Sequence, residues 1–191
     1  MAAKKDTLIN MFVALFVICI VSGGVLGVVY NATKDPIAAA EAAKKTKAIK
    51  NVLPEFYELK ETTVKSAMED VEIPFHLAYD ADNNFIGAAV ETFTNKGFSG
   101  NISLMVGILA DGSIKNITVL QHAETPGLGS KMSEPEFKDQ FNDKKAGSFN
   151  IKVKKDGGDV DAITAATISS RAFCDAVNRA LLTFENNKGG F

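Results

Sequence analysis

The sequence predicts an α+β domain that follows a single membrane-spanning helix. Residues Leu8 to Tyr30 contain no charged side chain. Between Pro74 and Leu120, segments rich in β-branched and aromatic residues alternate with turn-forming residues. Near the C-terminus, apolar residues recur at helical spacing. Because strands follow one another without intervening helices, this order is typical of an antiparallel sheet with flanking helices.

Composition excludes several classes of protein. The chain has 191 residues, of which 46% are hydrophobic, and its 21 basic and 23 acidic residues nearly balance. An apolar fraction this high is not typical of a disordered chain, and the charge gives no basic footprint for nucleic acid. The 2 cysteines and 2 histidines are too few for a disulfide scaffold or a histidine-rich metal centre. We therefore expect neither a metal site nor a nucleic-acid partner.

The uncharged run is predicted to be a retained membrane anchor, assigned to residues 1–33. Its 23 residues would form a helix of roughly 34 Å, enough to cross a hydrocarbon core of about 30 Å. A cleaved signal peptide is the alternative, but its apolar region is normally about 7–15 residues long and ends at small residues. Lys4 and Lys5 precede the run, so the N-terminus is expected in the cytoplasm and the domain outside it.

A second helix is predicted after the anchor. Asp35 is suited to cap its N-terminus and Pro36 to occupy its first position, and Pro54 lies beyond its end. This helix, residues 34–53, is interpreted as a stalk. The remaining domain then comprises residues 54–191, of which residues 55–72 have no clear pattern.

The β block contains four predicted strands: Phe75–Tyr79, Phe85–Phe93, Ile102–Leu109 and Ile114–Leu120. Asp80–Asn84, Gly97 with Gly100, and Asp111 with Gly112 provide the turns between them. The last two strands, separated by Asp111-Gly112, are predicted to form a hairpin.

Three further elements are predicted after the hairpin. Ser133 and Glu136 form a capping box for a short helix that continues to Phe141. A strand is expected near Phe149–Val153. The final helix carries an apolar face formed by Phe173, Val177, Ala180, Leu181 and Phe184.

Two segments are candidates for chemistry. The first is the glycine-containing loop 121–131, where backbone amides could approach a ligand closely; the alternative is an ordinary Pro-Gly surface loop. The second is segment 161–170 at the start of the final helix, where a phosphate is favoured. Its alternative is structural, with Thr164 or Thr167 acting as an N-cap. The chain contains no HExxH, CxxC, GxSxG or complete phosphate-loop motif, and no Rossmann unit.

The motifs of these segments resemble a known family. Gly97-Phe98-Ser99-Gly100-Asn101-Ile102, the ETPGLG sequence at Glu124–Gly129, and Asp161 followed by Thr164, Ala166 and Thr167 occur in this order. Together with the anchor, they resemble the FMN-binding domain of membrane-anchored flavoproteins. These are the G subunit of the Rnf complex and the C subunit of the sodium-translocating NADH:quinone reductase. The short chain is more similar to the Rnf protein.

The resemblance implies a covalent cofactor. FMN would be attached through a phosphoester to Thr167 by a flavin transferase that uses FAD and Mg²⁺. Ala165 stands where the family motif usually has glycine. The implied FMN-binding residues are those of the threonine motif (Asp161, Thr164, Ala166, Thr167) and of the loop against the flavin ring (Glu124, Thr125, Gly127, Leu128, Gly129).

The resemblance also implies a function. The chain would be the electron-carrier subunit of a complex in the bacterial cytoplasmic membrane that couples ferredoxin:NAD electron transfer to ion translocation. Its partners would be the other membrane and redox subunits, and it would not be an enzyme in isolation. The alternatives are the corresponding quinone-reductase protein and, from a different class, an anchored extracytoplasmic binding or scaffold module without cofactor.

Overall fold

The computed structural model describes residues 7–191. Lys4 and Lys5, on which the predicted orientation depends, lie outside the described residues. The chain divides into two compact units: the first ends at Lys44 and the second comprises Lys45–Phe191.

Helix α1 extends over 45 residues, Leu8–Val52. By length and composition it can cross a membrane, and the side chains of its apolar run are exposed, which agrees with the predicted anchor. The predicted helix break at Asp35 is wrong, because Pro36 lies inside the continuous helix. A proline costs a helix interior about 3 kcal/mol. The alanine-rich segment after it has high helix propensity, and the helix continues through this segment.

Five strands form one antiparallel sheet in the order β1-β2-β3-β4-β5. Their bounds are β1 Glu58–Lys65, β2 Glu72–Tyr79, β3 Phe85–Gly97, β4 Gly100–Leu109 and β5 Ile114–His122. The four predicted strands are confirmed as β2 to β5, and Gly97 pairs with Gly100 at the β3–β4 turn. Strand β1 occupies the segment without a clear pattern. It is a mostly exposed edge strand rich in charged residues, so it has no apolar alternation.

Each face of the sheet packs against a helix within the second unit. On one face, residues such as Phe75, Val90 and Leu104 form the main core with helix α3, Thr167–Asn187. On the other, Ala89 and Met105 pack with the last turn of α1. Gly107 lies directly against the backbone of this turn, where a Cβ atom would collide with the carbonyl group of Val52.

The segment between β5 and α3 is mostly irregular. A 3-10 turn, Gly129–Ser133, leads into helix α2, Pro135–Lys138, and a second 3-10 turn ends at Phe141. The predicted short helix is therefore confirmed, but its capping box is wrong. Pro135 occupies the first helical turn and Glu134 precedes it without a side-chain cap. Proline has no N–H to be capped, and its φ angle suits this position.

The strand predicted near Phe149–Val153 is also wrong. Val153 makes only an isolated bridge with Val160. Asn150 instead exchanges hydrogen bonds with Asp159, whose side chain accepts the Asn150 N–H at 2.8 Å. This link closes the loop between the two residues. The apolar side chains of the loop reach the core, but its backbone does not join the sheet.

Candidate functional site

A cavity of about 320 Å³ lies where three segments of the domain meet. The β3–β4 turn contributes Phe98, the loop after β5 contributes residues 124–129, and the start of α3 contributes residues 165–169. The lining residues are Phe98, Glu124, Thr125, Leu128, Gly129, Ala165, Ala166, Thr167, Ile168 and Ser169. The two segments selected from the sequence are therefore neighbours in space.

The loop after β5 presents one apolar side chain at the cavity. The Thr125 carbonyl accepts the N–H of Leu128 at 3.2 Å and that of Ser130 at 3.3 Å. Gly127 has a φ angle of 75°, a left-handed conformation that glycine adopts without steric cost. The resulting turn leaves the Leu128 side chain 41% exposed at the cavity.

Glu124 connects all three segments. Its carboxylate accepts the Ser99 N–H at 3.0 Å through Oε1 and the Ser169 hydroxyl at 2.6 Å through Oε2. It is only 5% exposed. Gly129 fits closely against this pair, because a Cβ atom there would lie 2.5 Å from Ser169 Oγ and 2.6 Å from Glu124 Oε2. Both carboxylate oxygens thus have protein partners, which gives Glu124 a structural role at the cavity wall.

The turn before α3 has an unusual backbone. Ala165 has a φ angle of 62°, a conformation that alanine rarely adopts. The Ala166 N–H bonds to the Ile163 carbonyl at 3.0 Å. The Ser170 hydroxyl accepts the Ile163 N–H at 2.9 Å and donates to the Ala166 carbonyl at 3.0 Å. Ala166 is the N-cap residue and makes no side-chain cap, so neither Thr164 nor Thr167 acts as the cap.

The hydroxyl groups near the cavity are not equivalent. Thr167 is half-buried and lines the cavity, and its hydroxyl makes no hydrogen bond with any group in residues 7–191. The Ser169 hydroxyl is engaged by Glu124 and that of Ser170 by the turn. Thr164 is exposed and lines a separate groove. Thr167 alone among these four residues combines access to the cavity with an unengaged hydroxyl.

The predicted site residues fall into two groups. Glu124, Thr125, Leu128, Gly129, Ala166 and Thr167 line the cavity, and Gly127 shapes the loop without lining it. Asp161 and Thr164 line the neighbouring groove of about 460 Å³. There Asp161 forms an ion pair with Lys154 at 2.8 Å.

Four lining residues were not predicted as site residues: Phe98, Ala165, Ile168 and Ser169. Phe98 and Ile168 are the large apolar side chains among them. Phe98 is 66% exposed and Ile168 is 48% exposed. An aromatic residue in a tight glycine turn was a usable signal for the first. Ile168 has no comparable signal, because its exposure depends on how α3 is rotated against the sheet.

Nearby ionisable groups have structural roles. Arg171 donates two hydrogen bonds to Asp156, at 2.6 and 2.7 Å, and they hold the pKa of this carboxyl below its usual range. Burial raises the pKa of the Cys174 thiol to about 12. A thiol with this pKa stays protonated at neutral pH and is a poor nucleophile.

A family model identifies the class of domain to which the fold belongs. The model described as FMN-binding domain matches residues 97–182, a range that contains all three segments of the cavity.

Relatives identify the family more closely. The chain is 35% identical over 176 residues to the G subunit of the ion-translocating oxidoreductase complex of Methanosarcina acetivorans, covering 90% of this chain and 92% of the relative. It is 32% identical to the protein of the same name from Shewanella baltica, covering 96% and 92%. The chain belongs to the family of G subunits of ion-translocating oxidoreductase complexes.

A solved structure has the same fold. It is the C subunit of the Na⁺-translocating NADH-quinone reductase from Parabacteroides distasonis, with a TM-score of 0.53 and 19% identity. The match covers 80% of this chain and 84% of the other. This agrees with the predicted antiparallel sheet and flanking helices.

Proposed function

We propose that the chain is a covalent-FMN electron carrier in a membrane-bound, Rnf-type ion-translocating oxidoreductase complex. The observation that carries the proposal is the unengaged Thr167 hydroxyl at the cavity. The names of the relatives support the type of complex. The likeness to the quinone-reductase protein is one of fold alone, so membership of the Rnf-type complex is preferred.

The residues present fit FMN. Cofactor sites are mostly apolar clefts of roughly 300–1,000 Å³ with a few polar groups. Phe98, Leu128 and Ile168 expose apolar surface at the cavity for a planar ring. The first turn of α3 has no side-chain cap, so its free N–H groups and the positive end of the helix dipole suit a phosphate.

The attachment chemistry is the one that the family resemblance implies, with Thr167 as the acceptor. The Thr167 Oγ would form a bond to the FMN phosphorus of FAD, and the bond between this phosphorus and the bridging oxygen would break. AMP would leave with that oxygen, and the proton of the threonine hydroxyl would be released. The product would be FMN esterified to threonine. This phosphodiester retains one negative charge, which the helix N-terminus stabilises.

The protein environment determines how the cofactor is used. Bound FMN supplies one- and two-electron chemistry, and the protein contributes orientation and electrostatics. In this chain Leu128, Ile168 and Phe98 would cover the ring and exclude water. Glu124 would hold the loop, the turn and α3 in one arrangement, since its carboxylate already joins all three.

The proposed location is the bacterial cytoplasmic membrane. Helix α1 is long and apolar enough to cross it, and Lys4 and Lys5 favour a cytoplasmic N-terminus. The FMN domain would then lie outside the cytoplasm. The proposed partners are the other membrane and redox subunits and, during maturation, a flavin transferase.

Replacing the acceptor tests the proposal. Full-length Thr167→Val protein, co-expressed with a flavin transferase, should carry no covalent flavin, because valine keeps the side-chain shape without the oxygen. Wild-type protein should gain the mass of FMN less one water, located by peptide mass spectrometry on Thr167. Thr164→Val is the matched control and should remain labelled. Labelling of Thr167→Val, or a modification on Thr164 or Ser169, would refute the assignment.

A further inference from the structure

We propose that Ser170 is a positioning residue that holds Ala165 in its left-handed conformation and so places Thr167 for modification. The inference rests on the proposed attachment at Thr167. It concerns a buried hydroxyl that does not line the cavity and that lies at the end of the candidate segment 161–170, outside the threonine motif.

The conformation of Ala165 requires an external cause. Among residues 7–191, the non-glycine residues with positive φ angles are Asn83, Asp143 and Ala165. Asparagine and aspartate adopt this region more readily than other side chains. Alanine has no side-chain hydrogen bond to compensate. A strained backbone persists only when its surroundings impose it.

Ser170 supplies that constraint together with the bond from the Ala166 N–H to the Ile163 carbonyl, which spans the same residue. Ser170 is completely buried. Its hydroxyl accepts the Ile163 N–H, before Ala165, and donates to the Ala166 carbonyl, after it. One oxygen atom therefore fixes both sides of the strained residue. Because the core anchors Ser170 through α3, the turn is held against the same helix that begins at Thr167.

Removing the hydroxyl should release the turn. In Ser170→Ala, Ala165 can relax to a negative φ angle, which redirects the backbone two residues before Thr167. Glycine at position 165 adopts a positive φ angle without this constraint. Ala165→Gly should therefore restore a Ser170→Ala protein, although the lost hydrogen bonds are not replaced.

Thr183 provides a matched control on the same helix. It is also completely buried, accepts a backbone N–H from Ala67 at 3.1 Å, and donates to the Arg179 carbonyl at 2.7 Å. Both hydroxyls thus accept one loop N–H and donate to the carbonyl four residues earlier. Thr183 braces the loop after β1, far along α3 from Thr167, so Thr183→Val reproduces the loss of stability without affecting the turn.

The experiment measures flavin attachment to purified full-length apoprotein in detergent micelles. FAD, Mg²⁺ and a limiting amount of flavin transferase are added, and the initial rate is followed by intact mass. Ser170→Ala should lower the rate about tenfold, because the loss of a buried hydrogen bond should reduce by about this factor the population of protein in which Ala165 is left-handed. Thr183→Val should stay within about twofold of wild type, as should Ala165→Gly/Ser170→Ala. Ser170→Cys, which retains the volume but weakens both bonds, should be intermediate.

A second readout is independent of the flavin. The changes in melting temperature of Ser170→Ala and Ala165→Gly should be non-additive in the double variant, whereas those of Thr183→Val and Ala165→Gly should add. The role of Ser170 would be overturned if Ser170→Ala and Ser170→Cys were labelled at the Thr183→Val rate. It would also be overturned if Ala165→Gly did not restore the labelling rate of Ser170→Ala. Labelling of Thr167→Val would instead overturn the proposed attachment, while the melting temperatures would still report on the turn.

Discussion

Glu124 should contribute more to stability than any other polar residue of the cavity. Glu124→Ala removes two hydrogen bonds to a carboxylate, and bonds to charged groups contribute about 1.5–3 kcal/mol each. The Ser169 hydroxyl is buried and loses its partner, whereas the exposed Ser99 N–H can bond to water. We therefore assign about 2 kcal/mol to the first bond and about 1 kcal/mol to the second, a loss of about 3 kcal/mol.

The matched variant is Glu124→Gln. Its amide oxygen can accept the Ser99 N–H, and its NH₂ group can donate to the Ser169 hydroxyl, which rotates to become the acceptor. We expect a loss of about 1 kcal/mol or less. For a domain of this size, about 1 kcal/mol corresponds to roughly 2–4 °C in melting temperature. Glu124→Ala should therefore melt about 6–12 °C below wild type and Glu124→Gln within about 4 °C of it.

Differential scanning calorimetry of flavin-free, full-length protein in detergent measures both variants directly. If Glu124→Ala is as stable as wild type, burying the carboxylate costs as much as its two bonds contribute, and Glu124 does not stabilise the cavity. If both variants lose the same large amount, the negative charge itself is required, and the hydrogen-bond account is refuted.

Four further outcomes are expected. Leu128→Asp should change the flavin spectrum or potential while the denatured protein stays covalently labelled; native redox behaviour would contradict ring contact. In a Cys19→Ser background, Cys174 should resist alkylation by N-ethylmaleimide until the protein is denatured. Burial raises the pKa of the Cys174 thiol from its ordinary value of 9.0 to about 12 in the folded protein. The contribution of this thiol to stability is therefore complete below pH 9 and should be lost as pH rises towards 12. A calorimetric pH series of the native and Cys174→Ala proteins tests this, and identical profiles would contradict it. A phosphatase fused after Phe191 should be active and a cytoplasm-dependent reporter inactive, whereas the reverse pattern would contradict the proposed orientation.

Composition and apolar spacing predicted most of the regular elements. Strands β2 to β5 were located from their β-branched and aromatic residues and from the turns between them, and α3 was located from its apolar face. Strand β1 was missed because an edge strand needs little apolar surface, and its pairing with β2 depends on backbone groups that every sequence possesses. The strand expected near Phe149–Val153 failed for the opposite reason. Its apolar residues are buried by a closed loop, which periodicity alone does not distinguish from a strand.

Local signals at helix ends were weaker. Asp35-Pro36 has the composition of a helix start, yet α1 continues through it into an alanine-rich segment that favours helix. Ser133 and Glu136 fit a capping box, but Pro135 sets the start of α2 instead. At the site, the loop and the threonine segment were both found. Their contact through Glu124 and Ser169 was not predictable, because it depends on how α3 lies across the sheet.

The position of Thr167 also sets the reach of anything attached to it. A long lysine arm lets a prosthetic group travel between distant centres. Threonine has a short side chain, and here it begins a helix with 12 buried residues. A group esterified at this point would be held by the core of the domain with little freedom to swing. Its redox partners would have to approach the cavity, so the rate of electron transfer would depend on how the proteins of the complex associate.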